Sequence, residues 1–276
     1  MEGTTEVTVQ TVKEKHRALW ALGDYPAVAS EVIAELGEVL VEACDVDAGD
    51  LVLDVAAGSG NAAIPAASRG ASVVASDLTP ELLGAGRRAA GDDLHLVWEE
   101  GDAEALRYGD GWFSVVMSCV GVMFAPDHQA SADELVRVVR PGGTIGLINW
   151  TPEGFLGQVF ATMKPFAPAP PPGAQPPVLW GSPDHVTALL GDRVTDVVAR
   201  RARLRVDRFA SPEEFRDFFK RTYGPTIATY RNIADDAARV AELDREPVEL
   251  ARRNDLGEPT FAMEWEYMIL TARRAG

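Results

Sequence analysis

The stretch LVLDVAAGSGNAAIPAASRGASVVASDLTPELL, residues 51 to 83, decides how the rest of the chain is read. Leu51, Val52, Leu53 and Val55 form a short apolar run, the pattern of a strand covered on both faces. Gly58 and Gly60 then permit a tight turn and a close backbone approach that a Cβ would obstruct. The spacing predicts a helix beginning near Asn61, with Pro65 tolerated in its first turn, where amides lack intrahelical partners. Val73, Val74 and Ala75 make a second strand, and Asp77 stands just past its end. An acid at the tip of strand two, ~20 residues beyond the glycine turn, suits the two hydroxyls of a ribose. The unit reads as a holder for a nucleoside.

The spacing Gly58-x-Gly60-x-x-Ala63 also fits the dinucleotide fingerprint, so a nicotinamide-dependent oxidoreductase is an alternative. Asp54 weighs against it. This residue interrupts the apolar strand four positions before Gly58, where an ionised carboxylate is costly unless a cation or hydrogen-bond donor meets it. A pyrophosphate gains nothing from that anion. A cofactor carrying an α-amino group and a sulfonium does.

LDVAAGSGN, the Asp77 that follows, EEGDAEAL at residues 99 to 106 and RVVRPGGTIGLINW at 137 to 150 together resemble the class I S-adenosylmethionine-dependent methyltransferases. The likeness is to the small-molecule branch that includes ubiquinone- and menaquinone-type and natural-product enzymes. It implies an α/β fold: a Rossmann-like, seven-stranded, mostly parallel sheet with helices on both faces, N-terminal helices and a helical, proline-rich cap. It also implies S-adenosyl-L-methionine as cofactor and S-adenosyl-L-homocysteine as product. The resemblance carries Gly58 and Gly60 to the methionine moiety, with Asp54 supporting its amino group and Ala56 and Asn61 in the same loop. It carries Asp77 to the ribose, Leu78 to the adenine face, and Asp102, flanked by Gly101 and Ala103, to the adenine amine. Cys119 is expected to line the methionine end. Trp20 and Tyr25, at a break between N-terminal helices, are expected to close over the cofactor. A non-catalytic protein that keeps the cofactor pocket is a further alternative.

With 26 basic against 42 acidic residues in 276, the net charge of −16 argues against nucleic acid and anionic membranes as partners. A small-molecule substrate is expected, with the chain a monomer or homodimer. Cys44 and Cys119 give neither a disulfide framework nor metal-ligand spacing, which suits a reducing cytoplasm. Glu2, Glu6, Lys13, Glu14 and Lys15 leave no apolar signal core. The apolar stretch Trp112–Pro126 is shorter than the ~20 residues of a membrane span.

One domain is expected over residues 1–276. It divides into an N-terminal helical lid over 1–45, a cofactor-binding core over 46–150, a proline-rich lid insertion over 151–194, and strands six and seven with a helical substrate cap over 195–276. Two helices are expected between 10 and 44, broken at Gly23-Asp24-Tyr25-Pro26. Strands are expected near 51–55, 72–76, 94–98, 113–119 and 143–149. Asp127 is a good N-cap for a helix to about Val139, which Pro141-Gly142-Gly143 ends. The prolines from Pro165 to Pro177 preclude regular structure and read as a stiff lid. Alternation near 197–206 and over 261–271 predicts two more strands, with helices filling 211–255.

A methyltransferase needs a base only when its acceptor must lose a proton. His128 begins the helix after strand four, at the carboxyl edge of the sheet where ligands bind in such folds, and is the histidine best placed for that role. Relatives carry histidines slightly earlier in this loop, where Met123 and Phe124 stand here, which favours an apolar acceptor pocket. Trp150 at the end of strand five, and Tyr223 and Thr226 around Gly224-Pro225, are further acceptor-site candidates; Tyr223 is also a catalytic candidate through orientation. The Asn/Asp-Pro-Pro-Tyr segment of relatives that methylate bases is missing. So is the Asp-Asn pair with which catechol-type enzymes hold magnesium, so no metal is expected.

Overall fold

The computed structural model describes residues 9–276; the charged start that includes Glu2 and Glu6 lies outside the described residues. Its centre is one seven-stranded sheet in the order β3-β2-β1-β4-β5-β7-β6. Strand β1 (Leu51–Val55) lies parallel between β2 (Ser72–Asp77) and β4 (Phe113–Cys119). Beyond them β3 (Leu96–Glu100) and β5 (Val139–Trp150) continue the parallel set. β7 (Met263–Arg274) runs antiparallel between β5 and β6 (Val194–Val206). Every residue of β4 is buried, so helices must cover both faces there. Helix α3 (Ala34–Ala43) packs on β4, β5 and α4 (Ala63–Ser68), while α5 (Pro80–Ala90) covers β2 and β3 and α6 (His128–Val138) covers β4 and β5. The strand order reverses direction between β1 and β4. Their carboxyl ends therefore diverge, and the crevice between them is where such sheets bind ligands.

Several boundaries differ from the sequence expectation, each for a local reason. The N-terminal region forms α1 (Val9–Trp20), α2 (Tyr25–Glu31) and α3, because the β-branched pair Val32 and Ile33 leaves helical geometry and is buried. The helix after the glycine turn begins at Ala63, not Asn61, since Ala56, Gly58 and Gly60 all adopt positive φ and lengthen the turn. β3 begins at Leu96 and leaves His95 exposed outside it. Pro141-Gly142-Gly143 does not separate helix from strand. β5 begins at Val139 opposite Phe113, and the register shift before Val115 absorbs the three residues as a bulge, with Gly142 at φ +72.

The carboxyl-terminal part builds a helical cap from α7 (Phe155–Met163), α9 (Pro212–Thr222), α10 (Gly224–Asn232) and α11 (Ala237–Arg253). Phe215, Phe218 and Phe219 on one face of α9 join Phe209 and Trp265 in a cluster of ring contacts. The proline run joins α7 to a short turn at Pro177–Gly181 and α8 (Pro183–Leu190). It is tied down where Gln175 N–H donates to the Pro126 carbonyl (3.2 Å) and the Asn232 amide to the Phe166 carbonyl (2.9 Å). At its end Gly181 passes so close to β5 that a Cβ would lie 2.0 Å from the Trp150 carbonyl oxygen.

Candidate functional site

A cleft of about 610 Å³ opens at the carboxyl ends of β1 to β4. β1 contributes the turn from Ala56 to Gly58. Both Ala56 (φ 54) and Val120 (φ 52), which follows β4, hold left-handed backbone that costs a non-glycine residue ~1–3 kcal/mol. The two strand ends press together here: a Cβ on Gly121 would sit 2.3 Å from the Ala56 carbonyl oxygen. Gly58 faces the cleft, with the Tyr25 ring 3.3 Å from where its Cβ would be. Gly60 serves packing instead, since a Cβ there would meet the Trp98 ring at 2.5 Å, and it lies off the cleft wall.

Asp77 lines the cleft and organises it. One carboxylate oxygen accepts from Gly58 N–H and the other from Thr79 N–H, both at 2.8 Å. Burial raises its pKa, and these amides oppose the rise. Leu78, Gly101, Asp102 and Ala103 continue the wall. Asp54 lies behind this floor, buried, with neither oxygen in a formed hydrogen bond among the described residues. Burial pushes its pKa up to about 8, the Ala63 amide offsetting part of the rise and the Asp77 charge adding to it. Asn61 and Cys119 also sit behind the wall: the Asn61 amide donates to the Ile33 carbonyl (3.1 Å) and contacts Cys119 Sγ at 3.7 Å. Cys119 remains a thiol, because burial and then the Asp54 charge drive its pKa up.

Helix α1 forms the roof. Lys13 Nζ reaches Asp102 at 2.7 Å and Glu104 at 2.5 Å, and Arg17 pairs with Glu100. Trp20 Nε1 donates to His16 Nε2 at 2.8 Å. Burial and then the Lys13 charge hold the His16 pKa at about 4, so the ring is neutral. Asp24 N–H donates to the Thr222 carbonyl (2.9 Å), which ties the roof to the cap. Trp20 contacts Tyr25, Phe124 and Tyr223 at ring-centroid separations of 5.5, 4.7 and 5.7 Å. Lys13 and His16 escaped the sequence reading. Their spacing with Trp20 puts all three on one helix face, but polar members of an amphipathic helix ordinarily read as its solvated side.

The acceptor candidates divide. Phe124 lines the cleft, whereas Tyr223 and Thr226 line a second cavity in the cap. Met123 and Trp150 line neither and are buried in the core, Trp150 against Trp265 at 5.9 Å. His128 also lines neither. It is fully buried with its Nδ1 3.0 Å from His185 Nε2, its ring against Trp180, and its Nε2 without a hydrogen-bond partner among the described residues. The helix N-terminus does lie at the sheet's carboxyl edge, but the turn carrying Trp180 covers it. No residue of the proline run lines either cavity; within 151–194 it is α7 that does so. Both cysteines are buried and unbridged. No helix among the described residues is long and apolar enough to cross a membrane.

A methyltransferase-domain family profile matches residues 52–143, the span from β1 to the bulge in β5. An uncharacterised protein of Mycobacterium tuberculosis is 54% identical over 94% of both chains. A demethylmenaquinone methyltransferase of Clavibacter sepedonicus is 37% identical over 104 residues, 38% of this chain and 42% of its own. Among solved structures, a methyltransferase-like protein of Bacillus halodurans superposes with a TM-score of 0.58 at 20% identity, covering 87% of this chain and 99% of the other, a likeness of fold.

Proposed function

Because the chain belongs to the class I S-adenosylmethionine-dependent methyltransferases, we propose that it methylates a small, partly apolar organic acceptor without a metal, chiefly by positioning. The observation that carries the cofactor assignment is Asp54. A buried carboxylate that only the Ala63 amide approaches among the described residues, and a pKa raised to about 8, fits a cofactor that brings an ammonium group to the floor of the cleft. When bound, S-adenosylmethionine supplies a methyl group already activated by its sulfonium, so no Lewis acid is needed to create the electrophile.

In this reading Asp54 neutralises the α-amino group, Gly58 lets the turn approach the methionine moiety, and Asp77 takes the ribose hydroxyls while keeping its amide bonds. Leu78 and Ala103 flank the adenine, and Asp102 receives its amine. Helix α1 excludes water by laying His16 and Trp20 over the cleft. Excluding water and holding acceptor and methyl ~3 Å apart in line supplies most of the acceleration available to such a reaction. The rings of Tyr25, Phe124 and Tyr223 offer the acceptor an apolar approach. The surroundings of His128 give it a bracing role between α6 and α8 in place of proton transfer. The acidic surface supports a small-molecule substrate over nucleic acid or membrane, and the two free cysteines support a cytoplasmic setting.

Titration calorimetry with S-adenosylmethionine, S-adenosylhomocysteine and NADH tests the cofactor assignment. Saturable binding of the first two and none of NADH is expected. NADH binding in their place overturns it.

A further inference from the structure

The cap contains a second cavity, lined mostly by apolar and aromatic side chains as small-molecule sites are. α7 lends it Val159 and Phe160, α9 lends Phe219, α11 lends Leu243, and the α9–α10 junction lends Tyr223 and Thr226. One layer of rings separates it from the cofactor cleft. Tyr223 lies 5.7 Å from Trp20 and 6.3 Å from Tyr25, and Phe160 lies 6.3 Å from Phe124, ring centre to ring centre. Each of these pairs joins a residue of one cavity to a residue of the other.

We infer that this cavity holds the body of the methyl acceptor, and that the acceptor is an uncharged aromatic compound carrying a hydroxyl group. The inference rests on the methyltransferase reading above. Charge is excluded first. Of the residues lining the cavity, Arg216 alone is charged, and it is already engaged by Asp217 (2.8 Å) and the Asp244 carbonyl (3.3 Å). No acid on the wall receives an ammonium, and an anion loses its hydration against mostly apolar side chains. Ring shape follows from the wall: Phe160, Phe215, Phe219, Tyr223 and Tyr230 present faces and edges to which an aromatic guest adds contacts beyond simple area burial. The hydroxyl follows from Thr226, whose buried Oγ1 has only the soft sulfur of Met163, 3.9 Å away, as side-chain partner among the described residues. The Tyr230 hydroxyl, by contrast, is committed to Asp244 at 2.8 Å.

Equilibrium dialysis of the S-adenosylhomocysteine-loaded protein against 1-naphthol, 1-naphthoate and phenethylammonium tests this. Saturable 1-naphthol binding is expected, at least about tenfold tighter than either charged probe, a difference of ~1.4 kcal/mol. Val159→Trp, which fills the cavity, should abolish it while leaving S-adenosylhomocysteine affinity unchanged. Thr226→Val should weaken 1-naphthol but not naphthalene, and this variant carries the test if Val159→Trp does not fold. Absence of 1-naphthol binding at its solubility limit, equal binding of the charged probes, or unaltered 1-naphthol binding by a folded Val159→Trp or Thr226→Val protein overturns the inference. Failure of the wild-type protein to bind S-adenosylhomocysteine instead overturns the methyltransferase reading.

Discussion

Asp54 and Asp77 are buried acids 23 positions apart in sequence on neighbouring strands, yet their environments give them different work. Asp77 holds two buried backbone amides, and losing it leaves both without an acceptor, at ~1–3 kcal/mol each. Asp77→Ala should therefore lower both urea stability and S-adenosylhomocysteine affinity; a stable variant with unchanged affinity removes the ribose assignment. Asp54 has at most the weak approach of the Ala63 amide in the free protein, and an Asn oxygen can meet that amide too, so Asp54→Asn should weaken the cofactor while costing little stability at pH 7. Because its pKa is about 8 when free, meeting an ammonium should ionise it. Calorimetry of S-adenosylhomocysteine binding at pH 7 in buffers of different ionisation enthalpy should show proton release that Asp54→Asn abolishes, and release unaffected by the substitution refutes the pairing. Both acids were legible in the sequence, Asp77 as the residue past a strand end and Asp54 as a charge in an apolar run. The strain at Ala56 and Val120 was not, because nothing in an alanine or a valine announces positive φ.

At the level of elements, the roof helix α1 is latched by ion pairs as well as by the ring contacts of Trp20. Lys13 bridges Asp102 and Glu104, all three partly buried, and Arg17 bridges Glu100 on the end of β3. On the proposed reading Asp102 serves two partners, the roof lysine now and the adenine amine once the cofactor binds. Lys13→Met should loosen the roof by ~1 kcal/mol, the upper end for exposed pairs, and speed S-adenosylhomocysteine release about fivefold. Stopped-flow tryptophan fluorescence reads this through Trp20; a release rate equal to wild type means the roof is held elsewhere. The break at Gly23 and the placement of Trp20 and Tyr25 were visible as turn chemistry. The Lys13–Asp102 latch was not, because it joins residues 89 positions apart and depends on how α1 crosses the sheet. The same limit applied to His128. Its N-terminal position on α6 was read correctly from Asp127, whose side chain caps the helix by accepting from Ala130 N–H. That Trp180 and His185 would cover it depended on the route of the proline run.

Across the whole molecule, the strand sequence and the parallel core follow from apolar runs separated by helical spacing, and the late antiparallel pair follows from the alternation in β6 and β7. The second cavity does not, since it arises only where four helices from distant segments meet. The buried titrating groups also act together, and their opposite displacements predict a stability maximum. His16 and His128 are held near 4 against an ordinary value of 6.5, chiefly by burial. Their contribution is complete above pH 6.5 and is lost as the pH falls through 4, because the unfolded chain binds protons that the folded one refuses. Asp54, raised from 3.8 to about 8, contributes oppositely: its stabilisation is complete below pH 3.8 and is lost as the pH rises through 8. Near pH 5.5 the unfolded state gains protons on His16 and His128, and on His185, which is also lowered by burial, while the folded state keeps one on Asp54, so stability climbs with pH. Above pH 6.5 the raised acids govern the slope, Asp54 with Asp77 working in the same direction. One proton corresponds to ~1.4 kcal/mol per pH unit, so about 2 kcal/mol should disappear between pH 6.5 and 8. The net charge of −16 repels itself more strongly over the same interval, which is why the comparison with Asp54→Asn is needed. Urea denaturation at pH 5, 6.5 and 8 should show the maximum near 6.5 in the wild type and a clearly smaller alkaline decline in Asp54→Asn, the remainder belonging to Asp77 and the net charge. The decline should also shrink in saturating S-adenosylhomocysteine, where Asp54 is already ionised against its ammonium partner. A wild-type stability that stays level from pH 6.5 to 8 means that the Asp54 carboxyl is met by some other group in the free protein, and the cofactor pairing loses its basis.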